Sequence, residues 1–476
     1  MTSKPPCAAT VFFLSLVSVW TQAAERPNIV FFYADDLGYG DLACYGSPVA
    51  QTPVLDQLAR EGTRFTQFYV SHCVCSPTRS SAITGQFPSQ HRIFGHLAYL
   101  SSNRARKMPD WLDVEAPSFP RALQKAGYHT AMIGKWHLGG GSGRTFKRED
   151  LNNPDVDHSQ ESRKITINHP DAPSVDRYGF DHVRTTFGNS PTWKKAEPWP
   201  EPHQKYPYLS KEWSTWSSRA IADETIQFLK KHADSKGEQP FYVNVWFKDV
   251  HTTLLPTKEM RKPFLSLDEK AQVHYAMVRY MDEQIGRVLE KLNELGLNKN
   301  TLVLFSSDNG AKNFGGSNGP LRDWKHSLYE GGIRVPLIVR WPGQVQAGRV
   351  DANSVINIVD LVPTLEKLAV AKMPEGYESD GEDVGDAFRG QSFERKKPQF
   401  WHYPAKSPAL AIRIRNWKLL TDPDKKNEQL YDLDTDIGES NNLAEQNPKI
   451  VADLRRQLAE WYRKTGLDNL KPFKLD

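Results

Sequence analysis

Cysteine is scarce in this chain, with four residues among 476. Cys7 precedes an apolar run and is not placed like a lipoprotein cysteine, which leaves Cys44, Cys73 and Cys75. That is an odd set for an exported protein, so they cannot all pair within the chain. Charge of one sign is also lacking. The 61 basic and 57 acidic residues leave a net +4, too little over this length to argue for nucleic acid or a membrane surface. Long hydrophobic runs are confined to residues 8–20, shorter than a bilayer requires. With Lys4 before it and Thr21-Gln22-Ala23-Ala24 after it, that run reads as a secretory signal over residues 1–24. The expectation is an exported protein, periplasmic or secreted, with no membrane span. No internal repeat is present, and oligomeric state is not legible.

What is there is room and aromatic surface. The length accommodates one large domain and a small one. Thirteen Trp and 32 Pro suit long ordered loops with aromatic faces, a surface that fits sugars. Residues 140–217 are rich in Pro, His and Trp with little periodicity, and Trp193, Trp199 and Trp213 could stack on sugar rings or pack in a core.

Three apolar runs read as strands buried on both faces. Pro27-Asn28-Ile29-Val30-Phe31-Phe32-Tyr33-Ala34 ends in Asp35-Asp36-Leu37-Gly38. Phe241-Tyr242-Val243-Asn244-Val245-Trp246-Phe247 ends in Lys248-Asp249-Val250-His251. Thr301-Leu302-Val303-Leu304-Phe305-Ser306 ends in Ser307-Asp308-Asn309-Gly310. A fourth strand over residues 129–134 runs into Lys135-Trp136-His137-Leu138-Gly139. Ligands collect outside the carboxyl ends of strands in open parallel α/β sheets. Carboxylate and amide oxygens there suit calcium or magnesium, and a Lys and a His two apart in an extended segment point the same way.

Helices are read over residues 52–62, with Thr52 as N-cap, Pro53 first and Gly62 as terminator. Others cover residues 219–232 and 448–462, and a long one ends at Gly296 with Ser266 and Glu269 as its capping box. Near residues 371–390 the composition turns polar and acidic, a candidate boundary. Beyond it, residues 399–403, 409–415, 417–421 and 429–433 alternate like short antiparallel strands.

The stretch Cys75-Ser76-Pro77-Thr78-Arg79-Ser80-Ser81-Ala82-Ile83-Thr84-Gly85 reads as a helix entered from a loop or strand. A reactive residue at its N-terminus would face unpaired N–H groups that favour an anion, with Arg79 one turn on. This stretch resembles the modification motif of the type I sulfatases, Cys-x-Pro-x-Arg followed by Thr-Gly, with Thr78 where Ser is commoner. Gly134-Lys135-Trp136-His137-Leu138-Gly139 resembles that family's second signature. Lys325 with Glu330-Gly331-Gly332-Ile333-Arg334-Val335-Pro336 resembles a further one. Thr253 departs from the pattern, standing where many relatives have Pro. Gly315-Gly316-Ser317-Asn318-Gly319-Pro320 is similar to the galactosamine-6-sulfatase branch.

The resemblance implies an alkaline-phosphatase-like α/β fold: a large mixed, mostly parallel sheet flanked by helices over residues 25–375, and a small C-terminal antiparallel subdomain over residues 376–476. It implies oxidation of Cys75 to formylglycine by a formylglycine-generating enzyme. It implies one divalent cation, Ca2+ or alternatively Mg2+, on Asp35, Asp36, Cys75, Asp308 and Asn309. Arg79, Lys135, His137, His251 and Lys325 would complete the site. The implied reaction is hydrolysis of sulfate monoesters on sulfated carbohydrates, where one hydroxyl of the hydrated aldehyde attacks sulfur. His251 or Lys325 would protonate the leaving alcohol, and His137 would take the proton whose loss expels the sulfate. The alternatives are a phosphate or phosphonate ester hydrolase of the same superfamily, or an unmodified glycan-binding protein. If Cys75 is converted, Cys44 and Cys73 remain and could pair.

Overall fold

The computed structural model describes residues 26–98, 100–139, 172–186, 211–236 and 239–474. The secretory segment, Trp193 and Trp199 lie outside them. Fourteen strands are described, in three sheets. The first sheet contains β1 (Asn28–Ala34), β2 (Thr63–Phe65), β4 (His129–Lys135), β5 (His182–Thr186), β6 (Phe241–Trp246), β7 (Thr301–Ser307), β8 (Leu337–Arg340) and β9 (Arg349–Asp351). The two-residue strands β3 (Phe68–Tyr69) and β10 (Ile356–Asn357) pair with each other. The last sheet is antiparallel, formed by β11 (Gln399–His402), β12 (Leu410–Ile414), β13 (Trp417–Thr421) and β14 (Gln429–Asp432).

The large sheet runs β5-β4-β6-β1-β7-β8-β2-β9. Its first five strands are parallel, and only β8 pairs antiparallel with both neighbours. The apolar strands take its centre because both faces are covered. Alternate residues of β1 point into different cores, Ile29, Phe31 and Tyr33 into one and Val30, Phe32 and Ala34 into the other. The helices Lys211–Lys236 and Glu269–Glu294 cover the second face. Cys75–Thr84, Phe119–Lys125 and Leu361–Ala369 cover the first. The small sheet and the helix Pro448–Lys464 share that first core through Trp401, Leu410, Ile412, Leu419 and Leu454. This is the large mixed sheet plus small antiparallel sheet that the resemblance implied.

Several local expectations change. The long helix begins at Glu269 and is capped by Asp268, whose carboxylate accepts from the N–H groups of Lys270 and Ala271. A carboxylate one residue before the helix reaches two free donors, so the Ser266–Glu269 box is not formed. Thr52 precedes the helix Pro53–Glu61 but makes no side-chain cap. Asp282, across on the long helix, accepts from Val54 and Leu55 instead (3.0 and 2.8 Å). Within residues 140–217, the described parts contain β5 and the start of a helix eight residues earlier than read. Trp213 is buried in the second core, so it packs rather than stacks on a ligand. Cys44 and Cys73 are both free thiols. Cys73 belongs to one core and Cys44 packs against the other, so the sheet separates them.

Candidate active site

β4, β6, β1 and β7 are adjacent, and their pairing brings Gly134, Trp246, Tyr33 and Ser306 into one row. Beyond that row the chain leaves each strand with polar residues. Asp35 and Asp36 follow β1, Lys135 closes β4 with His137 two on, His251 follows β6, and Asp308 and Asn309 follow β7. Cys75 opens its helix from the other side, with Val74 extended before it. Arg79 faces the same point from one turn further along. Lys325 comes from a loop whose N–H donates to Ala311 O (2.9 Å). All the expected site residues are therefore brought together.

The contacts are close. Cys75 Sγ is 3.7 Å from Asp35 Oδ1, 3.7 Å from Lys135 Nζ and 3.5 Å from Lys325 Nζ. Arg79 donates from Nε and Nη2 to Asp308 Oδ2 (2.9 and 2.7 Å), from Nη2 to Asp35 Oδ2 (3.1 Å) and from Nη1 to Lys135 O (2.7 Å). Its guanidinium lies over the rings of Tyr33 and Trp246 (5.5 and 5.1 Å). Lys135 pairs with Asp35 and Lys325 with Asp36. His251 Nε2 is 3.7 Å from Asp36 Oδ2, and His137 Nε2 is 3.0 Å from Leu97 O.

Asp36 and His137 adopt positive φ (63° and 53°) without being glycine, local strain held by the surrounding bonds. At Gly310 the loop after β7 approaches Gly331 so closely that a Cβ would fall 1.7 Å from its carbonyl oxygen. Only glycine allows Asn309 to be seated against the Glu330 segment.

Burial sets the electrostatics. Asp35, Asp36, Arg79, Lys135, Asp308 and Asn309 are at most 2% exposed. Burial works to raise the Asp35 and Asp36 carboxyls, but Lys135 beside the first and Lys325 beside the second outweigh it and hold both ionised. Asp308 goes the other way, pushed up to about 6 by burial and the Asp35 charge. Burial and Asp35 push the Cys75 thiol up to about 12, so as a thiol it is a poor nucleophile at neutral pH. Burial next to cations pushes His251 down to about 3 and His137 well below its ordinary value, so both are neutral.

Among the candidate metal ligands, two oxygens make no hydrogen bond. Asp36 Oδ2 and Asn309 Oδ1 are buried with no hydrogen-bond partner, although Asn309 Nδ2 donates to Asp36 Oδ1 (2.8 Å). Buried acceptors are rarely left so, and hard oxygens are what a divalent cation of the calcium or magnesium type takes. Ligand atoms of Asp35, Asp36, Cys75 and His251 lie within 4.8 Å of one another, the one such group found among the described residues. His251 joins this group beyond the implied set, and Asn309 adjoins it through its Nδ2 bond to Asp36. Asp308 is drawn to Arg79 in this arrangement, while the bare oxygen of Asn309 favours the implied set.

Sequence reasoning passed over Lys248 and Asp249. Lys248 is 1% exposed and donates to Thr253 O (2.5 Å). Asp249 Oδ2 accepts from Ser218 Oγ (2.5 Å), its carbonyl accepts from Asp35 N (3.0 Å), and Val250 N next to it donates to Asp35 O (2.7 Å), clipping the end of β1. A Lys-Asp pair directly after a buried strand was the available signal.

Charged side chains gathered where four parallel strands end define this as an α/β protein with an enzyme-type site for an anionic ligand. The chain belongs to the sulfatase family: the family model described as Sulfatase matches residues 27–371, and a second, described as N-sulphoglucosamine sulphohydrolase, C-terminal, matches residues 322–464. It is 28% identical to a "Sulfatase" of Formosa agariphila, covering 93% of this chain and 90% of that one. It is 31% identical to the N-acetylgalactosamine-6-sulfatase of Canis lupus familiaris (77% and 67%) and 28% identical to the N-acetylgalactosamine-6-O-sulfatase of Bacteroides thetaiotaomicron (92% and 93%). Among solved structures, Ps i-CgsB bound to k-i-k-neocarrahexaose superposes with a TM-score of 0.73 at 25% identity, covering 94% of both chains. The protein is thus a sulfuric ester hydrolase.

Proposed function

We propose that the protein releases sulfate from sulfated carbohydrates, glycosaminoglycan or polysaccharide fragments, after export to the periplasm or beyond. In this reading Cys75 is first converted to formylglycine by a maturing enzyme, so its Sγ stands where the formylglycine oxygens would be. The observation that carries the reading is the position of Sγ, at a helix N-terminus within 3.7 Å of two lysine ammoniums and a carboxylate. The relatives named for galactosamine 6-sulfate and the neighbour bound to a carrageenan oligosaccharide support a sugar substrate.

Asp35, Asp36, Asp308 and Asn309 would hold one calcium or magnesium ion. When bound, it supplies positive charge and Lewis acidity at the reacting oxygens. Hydrated formylglycine supplies two hydroxyls, one to attack sulfur and one whose deprotonation lets the sulfate leave. Lys135, Lys325 and Arg79 offset charge on the sulfate and on the carboxylates around it. The leaving alcohol carries the sugar, so it departs toward solvent. His251, 19% exposed at its side chain where Arg79 and Lys135 are fully enclosed, is on that side and is assigned to position the leaving oxygen. The Lys325 ammonium, kept protonated beside Asp36 despite its burial, is the proton source. His137, enclosed beside Lys135, is assigned the proton of the second hydroxyl. The division at residues 375 and 376 is proposed with it, the small C-terminal unit shaping the rim.

The test is sulfate release by protein coexpressed with a formylglycine-generating enzyme, on 4- and 6-sulfated galactosamine, glucosamine and galactose sugars and on a phosphate ester. Release from a sugar sulfate is expected, reduced by about 10⁴-fold or more in Cys75→Ala, as for loss of a nucleophile. Turnover of the phosphate ester alone would overturn the reading, as would an unmodified Cys75 in the native host by mass spectrometry.

A further inference from the structure

Between the segment after Cys75 and the small C-terminal sheet lies a cavity of about 510 Å3. Phe94 and Arg106 line it from one side, His402 and Tyr462 from the other. Five cationic side chains face it: Arg106, Lys107, Lys406, Lys426 and Lys471. Two carboxylates, Asp422 and Asp424, oppose them. Asp422 is already occupied by Ser407 Oγ and Ala409 N (2.5 and 3.0 Å). Asp424 is shared at 3.6 and 3.5 Å by Lys426 and Lys471, which stay 78% and 57% exposed. Lys107 is exposed and has no ion pair among the described residues. Lys406 is held by Asp323 (3.0 Å) and Arg106 donates to Ser102 O, His96 O and Asn103 Oδ1, so the positive charge left for a ligand is that of Lys107 and of the exposed Lys426 and Lys471.

Neighbours of the lining residues reach toward the reaction centre. Tyr403, next to His402, has its hydroxyl 3.0 Å from His326 Nδ1, and His326 adjoins Lys325. On the opposite side Arg106 Nη2 donates to His96 O (2.9 Å), and the His96 ring is 6.5 Å from that of His137. His402 is 4% exposed and its Nδ1 has no hydrogen-bond partner, a buried polar atom calling for one.

We propose that this cavity is a second anion subsite, holding a sulfate or carboxylate on a sugar neighbouring the one desulfated, so that the preferred substrate is a polyanionic oligosaccharide rather than a singly charged sugar. The inference rests on the carbohydrate reading above. Exposed lysines hold such a group by Coulomb attraction that falls with added salt.

The test uses full-length Cys75→Ala protein and calorimetric titration with a chondroitin 6-sulfate hexasaccharide, its desulfated form keeping the carboxylates, and its carboxyl-reduced form keeping the sulfates. In Lys107→Ala/Lys426→Ala/Lys471→Ala the affinity for the intact hexasaccharide is expected to fall tenfold or more. A control removing exposed lysines elsewhere (Lys230, Lys299, Lys449) should change it less than twofold. Whichever modified sugar loses the difference between the two triple variants identifies the missing group as the one bound. Equal affinity of the two variants overturns the subsite, as does failure of the parent protein to bind. Release of sulfate from monosaccharides by the matured enzyme in either case leaves the carbohydrate reading standing, whereas no release from any sugar sulfate overturns both.

Discussion

Two buried ion networks lie a few residues apart in sequence, one ending at Lys325 and the other starting at Glu330. The second is closed by ion pairs. Glu330 accepts from Tyr69 OH (2.5 Å) and Lys418 Nζ (2.9 Å), with Arg334 at 3.4 Å. Glu439 Oε2 accepts from Glu330 N (2.6 Å), and its Oε1 makes no hydrogen bond but lies 2.8 Å from the same Lys418 ammonium. Lys418 belongs to β13, so this network fastens the small sheet to the Glu330 segment that leads into β8 and to β3. The first network has more charges, yet Asp36 Oδ2 makes no hydrogen bond and faces neutral His251 at 3.7 Å, and Asn309 Oδ1 is bare. Enclosed charges are tolerable when each is matched. The matched set is architecture, and the set with bare oxygens is where a ligand belongs.

The largest expected effect comes from opening the closed network. Lys418→Met leaves two enclosed carboxylates without their shared cation, a loss of about 3–5 kcal/mol, read by urea unfolding. A loss below 1 kcal/mol would show that the two networks do not differ in kind. Next is filling the open one. Calcium at a hundred times its Kd should stabilise the wild type by about 2.7 kcal/mol, read as a thermal shift. Asn309→Ala should lose most of that shift, and an unchanged shift would remove Asn309 from the ligand set. The smallest effect is in pH. Burial, then the Glu330 charge, push Glu439 up to about 7 despite Lys418. Because its folded pKa exceeds the ordinary 4.5, this carboxyl contributes stability below pH 4.5 that is lost as pH rises through about 7. Glu439→Gln should flatten urea-unfolding stability across that window, and a retained slope would assign the titration elsewhere.

The central strands were legible because β1, β6 and β7 are uninterrupted apolar runs, and apolar residues on both faces leave a strand no place but the middle of a covered sheet. β13, residues 417–421, is found as read. β5 was not legible: His182-Val183-Arg184-Thr185-Thr186 has neither a run nor a clean alternation, and its place at the sheet edge comes from pairing with β4. The site residues were legible through their order after strands and their likeness to family motifs. Lys248 was not, since an isolated lysine reads as solvent-exposed until the fold encloses it.

By itself the sequence determined the central strands, the helix that begins at Cys75 and the residue types that meet there, because local pattern and backbone chemistry act over a few neighbours. Tertiary structure alone decided that Cys44 and Cys73 lie on opposite sides of the sheet, and that Asp282 caps a helix 227 residues away. It also decided which carboxylates are matched and which oxygens are bare. Those outcomes depend on distances between segments far apart in the chain, and on burial that no local pattern records.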